Sequence, residues 1–146
     1  LLGAESFVNG VASCLSHLQD AGLSNVRIHF GDARDLLEVL PPAAIDRAFL
    51  LYPDPWPKAR HIKRRFVNPE GMDLLARTLK PGARFHLATD IADYAEHSIA
   101  LMDRRRDFAR LDHPVDAPWP GWIRTRYEAK AIREGRRPHY LIWTKR

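Results

Sequence analysis

Short apolar runs typical of β-strands alternate along this chain with stretches in which apolar residues recur at helical spacing. The strands are predicted at 1–5, 26–30, 48–52, 84–89 and 139–144, and the helices at 8–21, 35–40, 69–79, 92–105 and 125–134. Helices between strands are the usual crossovers of parallel strands. The alternation therefore predicts an α/β fold, a mostly parallel sheet with helices on both faces, and the length suits one domain over residues 1–146.

Carboxylates stand at the ends of several predicted strands. Glu5, Asp54 and Asp90 each end a strand, and Asp32 follows another. One such aspartate is more often the N-cap of the next helix. Four of them at the same topological position are better explained by one polar site, because ligands of α/β sheets bind at the carboxyl ends of the strands.

A proline-rich turn follows the central strand. The apolar run 48–52 leads into Pro-Asp-Pro-Trp-Pro at 53–57, and proline ends a strand or helix because it lacks a backbone N–H and has a fixed φ. Asp54 and Trp56 are thereby placed on a stiff turn, and a run of basic residues comes next. Such a turn is often only a turn, and basic runs are often solvated faces. A tryptophan held on a loop beside cations favours a site for nucleic acid.

Composition narrows the class of partner and the compartment. The formal net charge is +5 and the pI is about 9.7, which favours a polyanionic partner. Cys14 is the only cysteine, so no internal disulfide is possible and a cytoplasmic location is expected. No apolar run approaches the roughly 20 residues of a membrane-spanning helix, so no membrane partner is expected.

Four segments together resemble the bacterial tRNA (guanine-N7)-methyltransferases. The most specific is PDPWPKARHIKRR at 53–65, supported by NVRIHFGDA at 25–33, ATDIADYAEH at 88–97 and TRYEAKAIREG at 125–135. The resemblance covers nearly the whole chain. It implies a Rossmann-like class I fold, S-adenosylmethionine as cofactor, no metal, and methylation of N7 of a guanosine in the variable loop of tRNA.

The resemblance also implies a strand order of 3-2-1-4-5-7-6, and this chain starts at the second strand. The first strand and the Gly-rich turn that carries much of the cofactor pocket are missing from the sequence. We therefore expect the 146 residues to be a portion of a longer protein, lacking its N-terminal strand-turn-helix.

The roles that the resemblance implies fall into three groups. The cofactor-binding residues are Glu5 at the ribose hydroxyls, Asp32 with Ala33 at the adenine, and Asp54, the catalytic residue, between methyl donor and base. The residues that contact the substrate nucleoside are Lys58, Asp90, Thr125, Arg126, Tyr127 and Glu128. The residues that grip the RNA backbone are Arg60, His61, Lys63, Arg64 and Arg65.

The chemistry agrees with these roles. Guanine N7 carries a lone pair and no proton, so its methylation needs no general base, and catalysis is mainly placement of the reacting groups. Asp54 is therefore assigned to positioning and electrostatics. Asp90 or Glu128 can accept from the guanine N1–H and N2–H₂ edge, and Trp56 or Tyr127 can stack on the base or simply pack in the core.

Two alternatives stay open at this level. An exocyclic-amine methyltransferase has a similar acid-proline-aromatic turn, although with two prolines between the acid and the aromatic residue. A non-catalytic RNA-binding module also fits the basic face, although Glu5 and Asp32 argue against it. The sequence does not indicate which tRNAs are modified, nor whether the protein is a monomer or a homodimer.

Overall fold

Strands β1 (Leu2–Glu5) and β2 (Arg27–Phe30) are parallel, hydrogen-bonded neighbours. Helix α1 (Val8–Asp20) connects them along the chain. Their register joins Leu2 to Arg27 and Glu5 to Phe30, so both strands end at the same edge. Helix α2 (Ala33–Val39) follows directly, with Asp32 as its N-cap. The computed structural model describes all 146 residues, and this first unit covers 1–41. It is a β-α-β-α unit, as the alternation predicts.

The second unit, residues 42–146, holds a four-stranded mixed sheet. Its elements are β3 (Ile45–Leu51), a 3-10 helix (Ala59–Arg64), α3 (Pro69–Thr78), β4 (Leu79–Thr89), α4 (Ala92–Met102), β5 (Phe108–Arg110), α5 (Arg126–Arg133) and β6 (His139–Lys145). The strands lie in the order β3-β4-β6-β5; β3 and β4 are parallel, and β6 is antiparallel to both of its neighbours.

This order confirms what the resemblance implies for the strands present. If β1 is the second strand of the family order, β1 and β2 form its 2-3 pair and the second unit reproduces its 4-5-7-6 segment. The chain divides into the two units described here. The prediction of a single domain over 1–146 stays a prediction. None of the helices combines the length and hydropathy needed to cross a bilayer.

Three local features differ from the sequence prediction. Strand β5 has three residues at a sheet edge, too few for a periodic signal, and the 3-10 helix lies inside the basic run. Strand β4 begins at Leu79 rather than at Arg84, because the chain bulges out of the ladder between these residues. Gly82, with φ +78°, permits the bulge. Helix α3 ends at Thr78, and the segment Lys80-Pro81-Gly82 that follows it lies inside β4.

The core of the second unit surrounds β4. Residues 85–89 of this strand are all buried, as expected for a strand covered on both faces. Trp143 of β6 is fully buried and stacks on Phe85 at a centroid distance of 5.7 Å. Helix α3 begins as predicted at Pro69, with the Asn68 side chain accepting from the Gly71 N–H at 2.8 Å.

His86 on β4 makes the stability of this core dependent on pH. It is 4% exposed, stacks on Phe49 at 4.7 Å and meets the edge of Trp119 at 4.8 Å. Burial lowers its pKa from 6.5 to about 4, and the nearby charges of Arg47 and Arg84 act in the same direction. Between these pH values the unfolded chain binds a proton that the folded protein does not. Stability is therefore expected to fall, by roughly 2–3 kcal/mol, as the pH drops from about 6.5 to about 4.

Urea unfolding at pH 7.5 and pH 4.5 checks this prediction. The variant His86→Phe should show a smaller loss of unfolding free energy between the two pH values than the wild type. Equal losses would assign the pH dependence to other groups.

Candidate functional site

The proline-rich turn directly follows β3 and is strained at both ends. The Tyr52 N–H donates to the Ala88 carbonyl at 2.8 Å, so pairing with β4 runs up to the first residue before the turn. Tyr52 and Trp56 have φ of 50° and 43°, in the left-handed region that aromatic residues rarely adopt. Such strain costs about 1–3 kcal/mol per residue and concentrates at functional sites. Asp54 lies between these two residues and is exposed.

The 3-10 helix presents a basic surface beside this turn. We call it the basic face, and it consists of the exposed side chains Lys58, Arg60, Lys63 and Arg64. The Arg64 guanidinium lies 4.9 Å from the centroid of the Trp56 ring, and the half-buried His61 meets the edge of that ring at 5.9 Å. Trp56 therefore makes a cation–π contact with Arg64, and this contact occupies one face of its ring.

Arg65 does not belong to the basic face. Its side chain is 1% exposed, its Nε donates to the Pro55 carbonyl at 2.9 Å, and its guanidinium is paired with Asp93. It also lies 5.1 Å from the centroid of the Tyr94 ring. The prediction that Arg65 contacts the RNA backbone is wrong, because a buried side chain cannot reach a phosphate group.

Asp90 lies directly after β4, at the neighbouring strand end. Its carboxylate accepts from Arg136 Nε at 2.6 Å, and only 15% of its side chain is exposed. Arg136 also bonds to Glu134 at 2.5 Å. Sequence reasoning missed Arg136, because it lies 46 positions after Asp90 and such a separation leaves no local pattern in the sequence.

Helix α5 brings a second carboxylate into the interior. Thr125 caps the helix, accepting from the Glu128 N–H at 3.0 Å. The Glu128 side chain does not reach back to the cap; it accepts from Trp122 Nε1 and from the Tyr140 hydroxyl, each at 2.6 Å. Glu128 is 3% exposed, so the structure places it in an internal hydrogen-bonded network. Its predicted contact with the substrate nucleoside stays a prediction.

The Tyr52 phenol lies among these carboxylates. Burial, followed by the charge of Glu128, raises the pKa of Tyr52, and the charge of Asp90 adds to the effect. Burial and the hydrogen bond to Glu128 likewise raise the pKa of Tyr140. Both phenols therefore keep their protons at neutral pH, and Tyr140 remains a donor to Glu128. The strand ends of β3 and β4 and helix α5 thus meet around Tyr52.

Two residues of α5 point away from this interior. Arg126 and Tyr127 are exposed, and the Tyr127 ring stacks on the Tyr52 ring at a centroid distance of 6.2 Å. Tyr127 is 61% exposed, so a large part of it is open to solvent while the other side packs on the residue that precedes the turn. The structure thus connects the Thr125–Glu128 segment with the residue before the proline-rich turn, as one candidate site of the second unit.

The predicted cofactor residues of the first unit lie at its strand ends. Glu5 is exposed and accepts from the Phe7 N–H through Oε1 at 2.7 Å. Asp32 is the N-cap of α2, accepting from the Arg34 N–H and pairing with the Arg34 guanidinium, both at 2.8 Å. Ala33 is half-buried in the first turn of α2. No group of three or more histidine, cysteine, aspartate or glutamate side chains is arranged to hold a metal ion.

Comparison with known proteins decides the family. The sequence profile described as "Putative methyltransferase" matches residues 1–141. The chain belongs to this methyltransferase family. The resemblance found in the sequence is confirmed by relatives that carry the name tRNA (guanine-N(7)-)-methyltransferase. One, from Roseobacter denitrificans, is 54% identical over 99% of this chain and 63% of its own length. Another, from Ruegeria pomeroyi, is 54% identical over 98% of this chain and 61% of its own length.

Solved structures confirm the class I methyltransferase fold. An rRNA methylase from Streptococcus thermophilus superposes with a TM-score of 0.61 at 13% identity, over 99% of this chain and 72% of that chain. At that identity the likeness concerns the fold alone. This family member spans about 60% of the length of the curated relatives it matches.

Proposed function

We propose that this methyltransferase transfers a methyl group from S-adenosylmethionine to N7 of a guanosine in the variable loop of tRNA. The observation that carries the proposal is the strained turn after β3, which exposes Asp54 beside the basic face. The relatives' names point to the same reaction, because the identity of 54% extends over nearly the whole chain. A tRNA substrate places the protein in the cytoplasm.

The reaction balances without an acid or a base. The lone pair of guanine N7 forms the new N–C bond while the C–S bond of the sulfonium breaks, and the sulfur keeps the bonding pair. The methylated base gains a positive charge on its imidazole ring, and no proton moves. Asp54 therefore acts by orienting the base and by stabilising this charge through its carboxylate, which agrees with placement as the main source of catalysis.

The first unit fits the proposed cofactor by the chemistry of its carboxylates. Glu5 uses Oε1 for the Phe7 N–H and keeps an exposed carboxylate at the end of β1, where it can accept from ribose hydroxyls. Asp32 and Ala33 begin α2, and their position fits contact with the adenine. The cofactor supplies the electrophilic methyl group, and these residues bind and orient it.

Calorimetric titration tests the cofactor assignment. We expect saturable binding of S-adenosylmethionine and no comparable binding of adenosine triphosphate, which carries the same nucleoside without the sulfonium. Titrations of Glu5→Ala and Asp32→Ala should show weaker binding of S-adenosylmethionine, and an unchanged Kd in both variants would remove these residues from the cofactor-binding role.

The basic face is proposed to contact the tRNA backbone. Changing Arg60, Lys63 and Arg64 together to glutamine should weaken tRNA binding and reduce the slope of log Kd against log salt by about 2 to 3, since each lost phosphate contact removes about 0.7 to 0.9. Arg65 is left out of this set because it is buried.

A matched variant controls for net charge. Arg84, Arg104 and Arg106 are also exposed, and changing them to glutamine removes the same charge elsewhere on the second unit. Titrations over a range of salt concentrations should leave the slope of this control near that of the wild type. Equal slopes for all three proteins would show that the basic face is only a solvated surface.

A further inference from the structure

Arg65 differs from the neighbouring basic residues because its side chain is buried and because it contacts groups of the protein interior. Lys63 and Arg64 are exposed, whereas the Arg65 side chain, one position further on, is 1% exposed. The 3-10 helix ends at Arg64, and the chain then turns residue 65 toward the interior. A buried guanidinium is costly unless it is paired and hydrogen-bonded, so its contacts show what it does.

The first contact is to the proline-rich turn itself. Arg65 Nε donates to the carbonyl of Pro55, the residue between Asp54 and Trp56, at 2.9 Å. The prolines of the turn have no backbone N–H, so the turn has few donors of its own with which to close hydrogen bonds. Trp56 in the turn and Tyr52 directly before it are in the left-handed region, a conformation that persists only where surrounding contacts enforce it. Arg65 supplies such a contact next to Asp54.

The second contact anchors Arg65 to another strand-end segment. Its guanidinium pairs with Asp93 in the first turn of α4 and lies over the Tyr94 ring at 5.1 Å. Helix α4 directly follows Asp90 and the end of β4. Arg65 therefore links the turn that carries Asp54 to the segment that carries Asp90. A lysine has a single charged nitrogen and cannot reproduce the fork that makes both contacts.

From these contacts we infer that Arg65 is a positioning residue, which holds the Asp54 turn in the orientation needed for methyl transfer. The inference rests on the proposed function, because the orientation of Asp54 matters only if Asp54 takes part in methyl transfer. The hydrogen bond and its effect on the turn can be tested without any activity. Arg65 acts through Asp54 and does not itself touch the RNA or the reacting groups.

The first test uses the wild-type protein and NMR spectroscopy. The Arg65 Nε–H should exchange with water at least 100-fold more slowly than that of the exposed Arg126, and a coupling across the hydrogen bond to the Pro55 carbonyl carbon should be detectable. Exchange as fast as that of Arg126 would overturn the inference, whatever the fate of the variants.

The second test compares Arg65→Lys with Asp93→Asn and with Arg104→Lys at an exposed site. Arg65→Lys should shift or broaden the backbone amide signals of Asp54 and Trp56. Asp93→Asn, which weakens the anchor of Arg65, should shift them less, and Arg104→Lys should leave them in place. In the methyl-transfer assay Arg65→Lys should lower kcat at least tenfold with KM for tRNA changed less than twofold. Unshifted signals in a folded Arg65→Lys would overturn the inference. Shifted signals without methylation by the wild type would instead count against the proposed function.

Discussion

Replacing Asp54 with alanine is expected to lower the rate of methyl transfer by about 100-fold or more while leaving the fold intact. The side chain is exposed on a turn held by prolines and by Arg65, so its loss creates no cavity. It does remove the carboxylate assigned to orient the base and to stabilise its positive charge. Single-turnover methylation of tRNA, together with the circular dichroism spectrum and the melting temperature, measures both halves of this prediction.

Asp46 provides the matched control at the other end of the same strand. It is exposed and pairs with Lys80 at 2.6 Å, an exposed ion pair of small energetic value. Asp46→Ala should retain the wild-type rate. Near-normal turnover of Asp54→Ala would contradict the assignment, and so would an equal loss in both variants.

Glu128→Ala is expected to destabilise the second unit by roughly 2–5 kcal/mol. The substitution leaves the buried Tyr140 hydroxyl and the Trp122 indole N–H without their acceptor, and each unsatisfied donor costs about 1–3 kcal/mol. Glu128→Gln keeps one acceptor oxygen and should lose about half as much. Urea unfolding at neutral pH measures these differences.

Glu70 is the control for this series because it occupies the first turn of α3, as Glu128 does in α5, but is exposed. Glu70→Ala should cost less than about 1 kcal/mol, the value of a carboxylate near a helix N-terminus. If Glu128→Ala were no more damaging than Glu70→Ala, the internal network would contribute little to stability. Glu128 would then be free for the substrate contact that the resemblance implies.

Local chemistry made much of this fold predictable. Pro69 lies in the first turn of α3, as predicted, because the fixed φ of proline suits a helix and its missing N–H would have no partner there. The prolines at 53–57 likewise end β3 by their own geometry, wherever the strand lies in the sheet. The strand ends, and with them the positions of Asp54 and Asp90, follow from such signals.

The structure corrected the parts that depend on distant contacts. In the sequence Arg65 is one of several adjacent cations, and its burial depends on Asp93, 28 residues away. The pair of Asp90 with Arg136 spans a still longer separation. Glu128 has the position of a capping-box acid, but its side chain instead accepts hydrogen bonds from Trp122 and Tyr140 in the interior. Contacts between residues that are not neighbours in the chain produce no periodic pattern in the sequence.

Identification of the methylated atom tests the proposed reaction directly. The protein would be incubated with tRNA transcripts and isotope-labelled S-adenosylmethionine, and the RNA would be digested to nucleosides and analysed by mass spectrometry beside an authentic N7-methylguanosine standard. We expect label in N7-methylguanosine, and loss of this label when the variable-loop guanosine is replaced by adenosine. Label on an exocyclic amine, or tRNA that binds without acquiring any label, would contradict it.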